Sequence, residues 1–344
     1  MKKQLLVTFS AILLLSTISL SQASPADDFS SLMAKAGGGD SIAQFSLGLI
    51  YSKPPGAITA TEWAHFNTEM GTVGFLLPQE LLGALNAGIP ANAEEAAKWY
   101  TKAAEQGLPV AQREMGRLYR IGEGVPESAV EAVKWYTKAA EQGDATAQYF
   151  LGGMFMDGEG VPKNKQEAVK WYTKAAEQGD AGAMRSLGYL YYYSNGTVLR
   201  FSEDGVRFYS DRADDPEKGL EWYRKAADLG DTTAQFVLGT IFRDGDGVPK
   251  DKVSAFNWFT KAAEQGDDSA QGLLGDMYAN GEGVPKDVIQ AYKWYNLSAA
   301  QRAPSSEVEE YRREKRDALE RSMTREQIAE AQRLSGEWVP KPAK

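Results

Sequence analysis

Between residues 144 and 179 the apolar positions fall on a helical period twice. Ala147, Leu151, Met154 and Phe155 share one side of a first helix. Ala168, Trp171, Tyr172, Ala175 and Ala176 then follow the i, i+3, i+4, i+7, i+8 stripe of a second. Gly143 and Gly179 close the helix that ends each unit, and Asp144 stands where its carboxylate meets the free amides of a first turn. The two helices are separated by the polar turn Asp157-Gly-Glu-Gly-Val-Pro162, after which Asn164 and Glu167 form a capping-box arrangement.

The same pattern recurs along the chain. Trp-aromatic pairs stand at Trp99-Tyr100, Trp135-Tyr136, Trp171-Tyr172, Trp222-Tyr223, Trp258-Phe259 and Trp294-Tyr295, with spacings of 36, 36, 51, 36 and 36 residues. A fixed period of this size means stacked supersecondary units, each burying its apolar face against its neighbours. Gly152 returns as Gly48, Gly116, Gly188, Gly239 and Gly275. A mid-helix glycine costs helix propensity, so its recurrence predicts close helix–helix approach. Six units are expected over residues 24–303, with insertions near 52–90 in the first and 193–214 in the fourth. Per-repeat insertions map to loops on one face, often a binding face. Residues 304–344 are expected to form capping helices and a tail.

The motifs Ala-x3-Leu-Gly-x2-Tyr, Gly-x-Gly-Val-Pro and Ala-x-x-Trp-Tyr-x-x-Ala-Ala-x-x-Gly cover roughly residues 40–300. They resemble the Sel-1-like repeat family, relatives of the tetratricopeptide repeats. The resemblance implies an all-α fold, a right-handed superhelical solenoid of antiparallel helix pairs, and no single biochemical activity. Met323–Leu334 is similar to the closing helix common in that family.

Residues 1–23 read as a secretory signal: Lys2 and Lys3, an apolar run from Leu5 to Leu20, and Ser21-Gln22-Ala23 as the small-x-small cleavage pattern. The run is short for a span, which needs about twenty residues. The expected location is the periplasm or the exterior, after cleavage behind Ala23. There is no cysteine, so stability rests on packing rather than disulfides. The net charge of −9 disfavours a nucleic-acid partner, and no membrane insertion is expected once the signal is gone.

Candidate chemistry is sparse. The Gly-x-Gly turns lack the Lys-Ser/Thr of a phosphate loop and the oxygen ladder of a calcium loop, so their recurrence points to turn geometry. His65 is the sole histidine, and neither a Gly-x-Ser-x-Gly elbow nor a Ser-x-x-Lys motif occurs. No enzyme activity, cofactor or metal is expected.

Comparing the units exposes the positions that vary. On the first helices these are Phe45, Leu49, Ser52; Arg113, Arg117, Arg120; Tyr149, Gly153, Met156; Arg185, Tyr189, Tyr192; Phe236, Thr240, Arg243; and Gly272, Asp276, Ala279. They lie opposite the recurring arc, and the resemblance implies that they line a concave groove. Arg and Tyr concentrate binding energy at interfaces. Arg113, Arg117, Arg120, Tyr149, Arg185, Tyr189, Tyr192, Phe236 and Arg243 are therefore the candidate partner-binding residues. Replacing the first three by alanine is expected to abolish capture without lowering the melting temperature. An ordinary solvated face is the competing reading.

The expected function is a non-enzymatic exported scaffold holding a partner protein or an acidic peptide segment. The resemblance implies two roles found among relatives, neutralising a periplasmic effector toxin or engaging host or envelope proteins. Recognition of the cell-wall polymer is the alternative from another class.

Overall fold

The computed structural model describes residues 25–52, 87–193, 198–202, 205–209, 215–300 and 307–342. The signal-like segment and most of the first insertion, with His65, lie outside the described residues. Fifteen α-helices are present among those described. Two compact units are formed, one of Met1–Ala147 with Asp157–Lys163, the other of Gln148–Met156 with Asn164–Lys344.

The first compact unit contains α1 (Pro25–Gly37), α2 (Ser41–Ser52), α3 (Ala93–Glu105), α4 (Pro109–Ile121), α5 (Ala129–Glu141) and the start of α6 (Ala145–Asp157). First helices α2 and α4 pack against second helices α3 and α5. The helix α1 leads the array in the manner of a second helix. It buries Leu32 and Ala36 and ends before Asp40, whose carboxylate accepts from Ala43 N at 2.9 Å. Its apolar pattern was not among the sequence-based expectations.

In the second compact unit, the body of α6 is followed by α7 (Lys165–Glu177), α8 (Ala181–Tyr192), α9 (Pro216–Asp228), α10 (Thr232–Asp244), α11 (Lys252–Glu264), α12 (Asp268–Asn280) and α13 (Val288–Ala300). Helices α14 (Glu307–Glu320) and α15 (Arg325–Gly336) both pack on α13, and Ala331 is fully buried there. Thr324 and Gln327 make a reciprocal capping box at the start of α15. The 193–214 insertion carries the non-helical regular structure: β1 (Val198–Ser202) and β2 (Gly205–Tyr209) pair antiparallel, with Val198 opposite Tyr209 and Ser202 opposite Gly205.

Three recurring devices explain why these sequences fold as they do. Side-chain caps start most helices, as Asn164 does for α7 by accepting from Glu167 N at 3.1 Å. The amides of the second-helix caps Asn92, Ser128, Asn164, Asp251 and Asp287 are themselves used: Ser128 N donates to Tyr119 O at 2.7 Å, and Asp251 N to Phe242 O at 2.9 Å. This ties the turn to the last turn of the first helix. Within that turn Gly160 has φ 71°, and a Cβ there would strike the carbonyl of Ala129. The Gly-x-Gly element is thus required by backbone geometry and crowding.

Buried glutamines link successive helices. Gln235 Nε2 donates to Ala227 O at 2.9 Å, and its oxygen accepts from Gln265 Nε2 at 2.7 Å. Gln112 does the same with Ala104 O and Gln142 in the first compact unit. Both ends of a buried amide are satisfied, which avoids the cost of orphaned polar groups. Outside, a lysine one turn along lies over the ring of Trp99, Trp135, Trp171, Trp222 and Trp258 at 3.9–4.3 Å. The sixth copy differs. Leu297 replaces that lysine, and Trp338 of the tail meets Trp294 edge-on at 6.4 Å. Lys341 Nζ then anchors the tail to Glu264 at 2.7 Å.

Candidate protein-binding face

The varying face takes its shape from the rings beneath it. A Cβ on Gly152 would lie 2.8 Å from the Tyr172 ring, and one on Gly188 would lie 2.8 Å from Tyr223. Gly116 over Tyr136, Gly239 over Phe259 and Gly275 over Tyr295 repeat the notch. Each ring therefore slides under the first helix, and its far end emerges among the varying positions. Tyr295 donates to Asp276 Oδ1 at 2.6 Å, and the place of a Gly153 Cβ is 3.5 Å from the Tyr172 hydroxyl. Burial pushes the Tyr136 hydroxyl up to about 12, and it pushes Tyr223 up as well.

The candidate residues separate into two groups. In the first compact unit Arg113 is buried, with Nε 3.8 Å from Asp144 Oδ2 and 3.9 Å from Glu114 Oε1. Asp144 is also the cap that accepts from Ala147 N at 2.7 Å. Arg117 bonds Glu114 and Glu123, both at 2.9 Å, and Arg120 interacts with the Tyr136 hydroxyl. These arginines serve the chain's own carboxylates and ring hydroxyl. The burial of Arg113 argues against the expectation that all three can be removed without lowering the melting temperature.

In the second compact unit Tyr192 is also buried, and its hydroxyl donates to the carbonyl of Asp246. Arg243 forks onto Asp244 at 2.8 and 3.0 Å. Arg185 Nε donates to Asp231 Oδ2 at 3.1 Å while its side chain stays 36% exposed. Tyr149 tilts against Tyr172 at 5.8 Å, and Phe236 against Phe259 at 5.8 Å. Tyr189 is the most open of the candidates, at 43% exposure. Neither a uniform groove nor an ordinary solvated face describes this stripe.

Arg185, Tyr189 and Phe236 come together around a hollow of about 420 Å³. Met156, Tyr193 and Tyr223 complete much of its wall. None of these three was nominated. Met156 stood among the varying positions, Tyr223 belongs to the repeating pair, and Tyr193 begins the insertion. A mainly apolar hollow lined by five aromatic rings and by Arg185 suits an apolar side chain. Among the described residues no group of three or more His, Cys, Asp and Glu side chains is placed to hold a metal ion. No helix among them is long and apolar enough to cross a membrane.

The Sel1 repeat profile matches residues 80–108, 109–144, 145–180, 181–210, 203–231, 232–267 and 268–302. The chain belongs to the Sel1 repeat family. The first match takes in the second helix of the first unit, and two matches fall on the interrupted fourth. The chain is similar to a Sel1 repeat protein from Oxalobacter formigenes, with 38% identity and a TM-score of 0.50 over 61% of this chain and 82% of that one. A protective antigen of uropathogenic Escherichia coli displaying an SLR fold shares 31% identity, with a TM-score of 0.50 over 93% of this chain and 73% of that one. An immunity protein from Pseudomonas aeruginosa is similar at 21% identity, with a TM-score of 0.37 over 67% of this chain and 76% of that one. No curated protein matches the chain.

Proposed function

We propose that this protein is a non-enzymatic, exported scaffold that holds a partner protein on the varying face of its first helices. The carrying observation is the aromatic hollow bounded by Arg185, Tyr189 and Phe236. An apolar recess of this size at repeat positions free to vary is what a partner's anchoring side chain requires. The signal-like residues 1–23 support action outside the cytoplasm. Within that class, the 31% identity to a protective antigen across 93% of the chain favours a partner at the cell envelope or in a host. Neutralisation of an effector toxin is the second role, and its support is the repeat class alone.

The test is affinity capture from envelope and host-cell extracts by the mature chain, wild type beside Thr233→Trp. Thr233 is exposed on the rim of the hollow, so a tryptophan there plugs it while leaving the packing rings in place. A specific partner lost on plugging supports the reading. Capture indifferent to the plug removes the hollow from it. Sedimentation with purified murein instead of a protein would favour the polymer-binding alternative.

A further inference from the structure

Another hollow, of about 670 Å³, lies in the second compact unit between α12 and α14. It borders the varying positions Arg243, Asp276 and Ala279. Several charges along it neutralise one another. Arg243 is taken by Asp244 at 2.8 Å, and Lys252 Nζ lies 3.2 Å from Glu282 Oε2. Lys250 and Lys315 also line the hollow, and the remaining acid, Asp276, is held by the Tyr295 hydroxyl at 2.6 Å. Two cations thus face one half-buried carboxyl in a chain whose net charge is −9. Leu273, Met277 and Leu319 supply apolar wall that would receive the methylenes of an acidic side chain.

We propose that this hollow receives a carboxylate from an acidic segment of the partner protein, held between Lys250 and Lys315. The proposal rests on the reading of the varying face as a protein-binding face, and it names the chemistry of what that face binds. Charge complementarity selects the acid, and a volume well beyond that of one carboxylate selects a chain segment over a small anion.

Asp276 tunes the site. Burial raises its carboxyl above the ordinary value, against the hydrogen bond from Tyr295 and the charges of Lys315, Arg312 and Arg243. The groups around it are Tyr295 from α13; Tyr311, Arg312 and Lys315 from α14; Arg243 and Asp244 from α10; Lys252 from the start of α11; and Lys250 and Glu282 from the neighbouring turns. As pH falls through the raised value Asp276 loses its charge, and its repulsion of an incoming carboxylate goes with it.

The probe is a hexaglutamate peptide titrated calorimetrically into the full chain, with succinate and inorganic phosphate as small-anion controls. Lys250→Ala and Lys315→Ala are each expected to weaken hexaglutamate about three- to fivefold, the range of single exposed ion pairs. Asp276→Asn is expected to tighten it and to remove the tightening that wild type shows as pH falls through the raised Asp276 value. Absent binding, or binding indifferent to both lysines, overturns the proposal. Succinate or phosphate bound as tightly as the peptide overturns the peptide occupant. Either result alongside partner capture that still depends on the Thr233 plug overturns this site and leaves the aromatic hollow standing.

Discussion

Arg113, Arg117 and Arg120 of the second repeat occupy the same helix positions as Arg185, Tyr189 and Tyr192 of the fourth. In the second repeat these positions are turned to the chain's own use. Arg113 is buried between Asp144 and Glu114, and Arg117 is held by two carboxylates. In the fourth, Arg185 uses its Nε–H on Asp231 and Tyr189 stands half open over an aromatic recess. Variation between repeats therefore has two meanings. Arg113 and Arg185 both fit a guanidinium to the cap of the next first helix, and the difference lies one turn on, where Arg117 is paired with carboxylates and Tyr189 is left beside an unfilled apolar surface. Fold and burial distinguish them; residue type does not.

The sharpest way to break this comparison is Arg113→Ala. Removing one partner of a buried ion pair costs about 3 kcal/mol, so thermal unfolding should move down clearly. An unchanged melting temperature would return Arg113 to the candidate binding residues. Next in size is the contrast between adjacent glycines of α6. Gly152→Ala drives a Cβ into the Tyr172 ring at 2.8 Å and should cost about 2 kcal/mol through overpacking. Gly153→Ala meets the Tyr172 hydroxyl at an ordinary 3.5 Å and should gain up to about 1 kcal/mol of helix propensity. Denaturant unfolding of the pair checks that one residue belongs to the notch and its neighbour to the varying face. Smallest in stability is Tyr189→Ser, expected to cost less than about 1 kcal/mol because the ring is substantially exposed.

The helices, caps and notches were legible because each depends on local spacing. Trp171, Tyr172 and Gly152 announce one another at fixed offsets, and Asn164 with Glu167 marks the helix start. The strands Val198–Ser202 and Gly205–Tyr209 hold short apolar–polar alternations, Leu199-Arg200-Phe201-Ser202 and Val206-Arg207-Phe208, a brief period-two signal beside the stronger helical repeat on either side. The candidate site was legible only in part. The sequence shows which positions vary, whereas the sharing of Arg113 with Asp144, 31 positions on, depends on how consecutive first helices meet. Tyr193 and Tyr223 enter the hollow for the same reason: one follows a helix end and the other passes beneath Gly188.

The most direct measurement pairs affinity with stability for two variants, Tyr189→Ser and Arg113→Ala, against the captured partner. The account predicts a crossing. Tyr189→Ser weakens Kd by about tenfold or more with the melting temperature nearly unchanged, as for loss of an interface anchor. Arg113→Ala lowers the melting temperature and leaves Kd, measured well below it, within about twofold of wild type. The reverse pattern, binding lost with Arg113 and retained without Tyr189, would contradict the account.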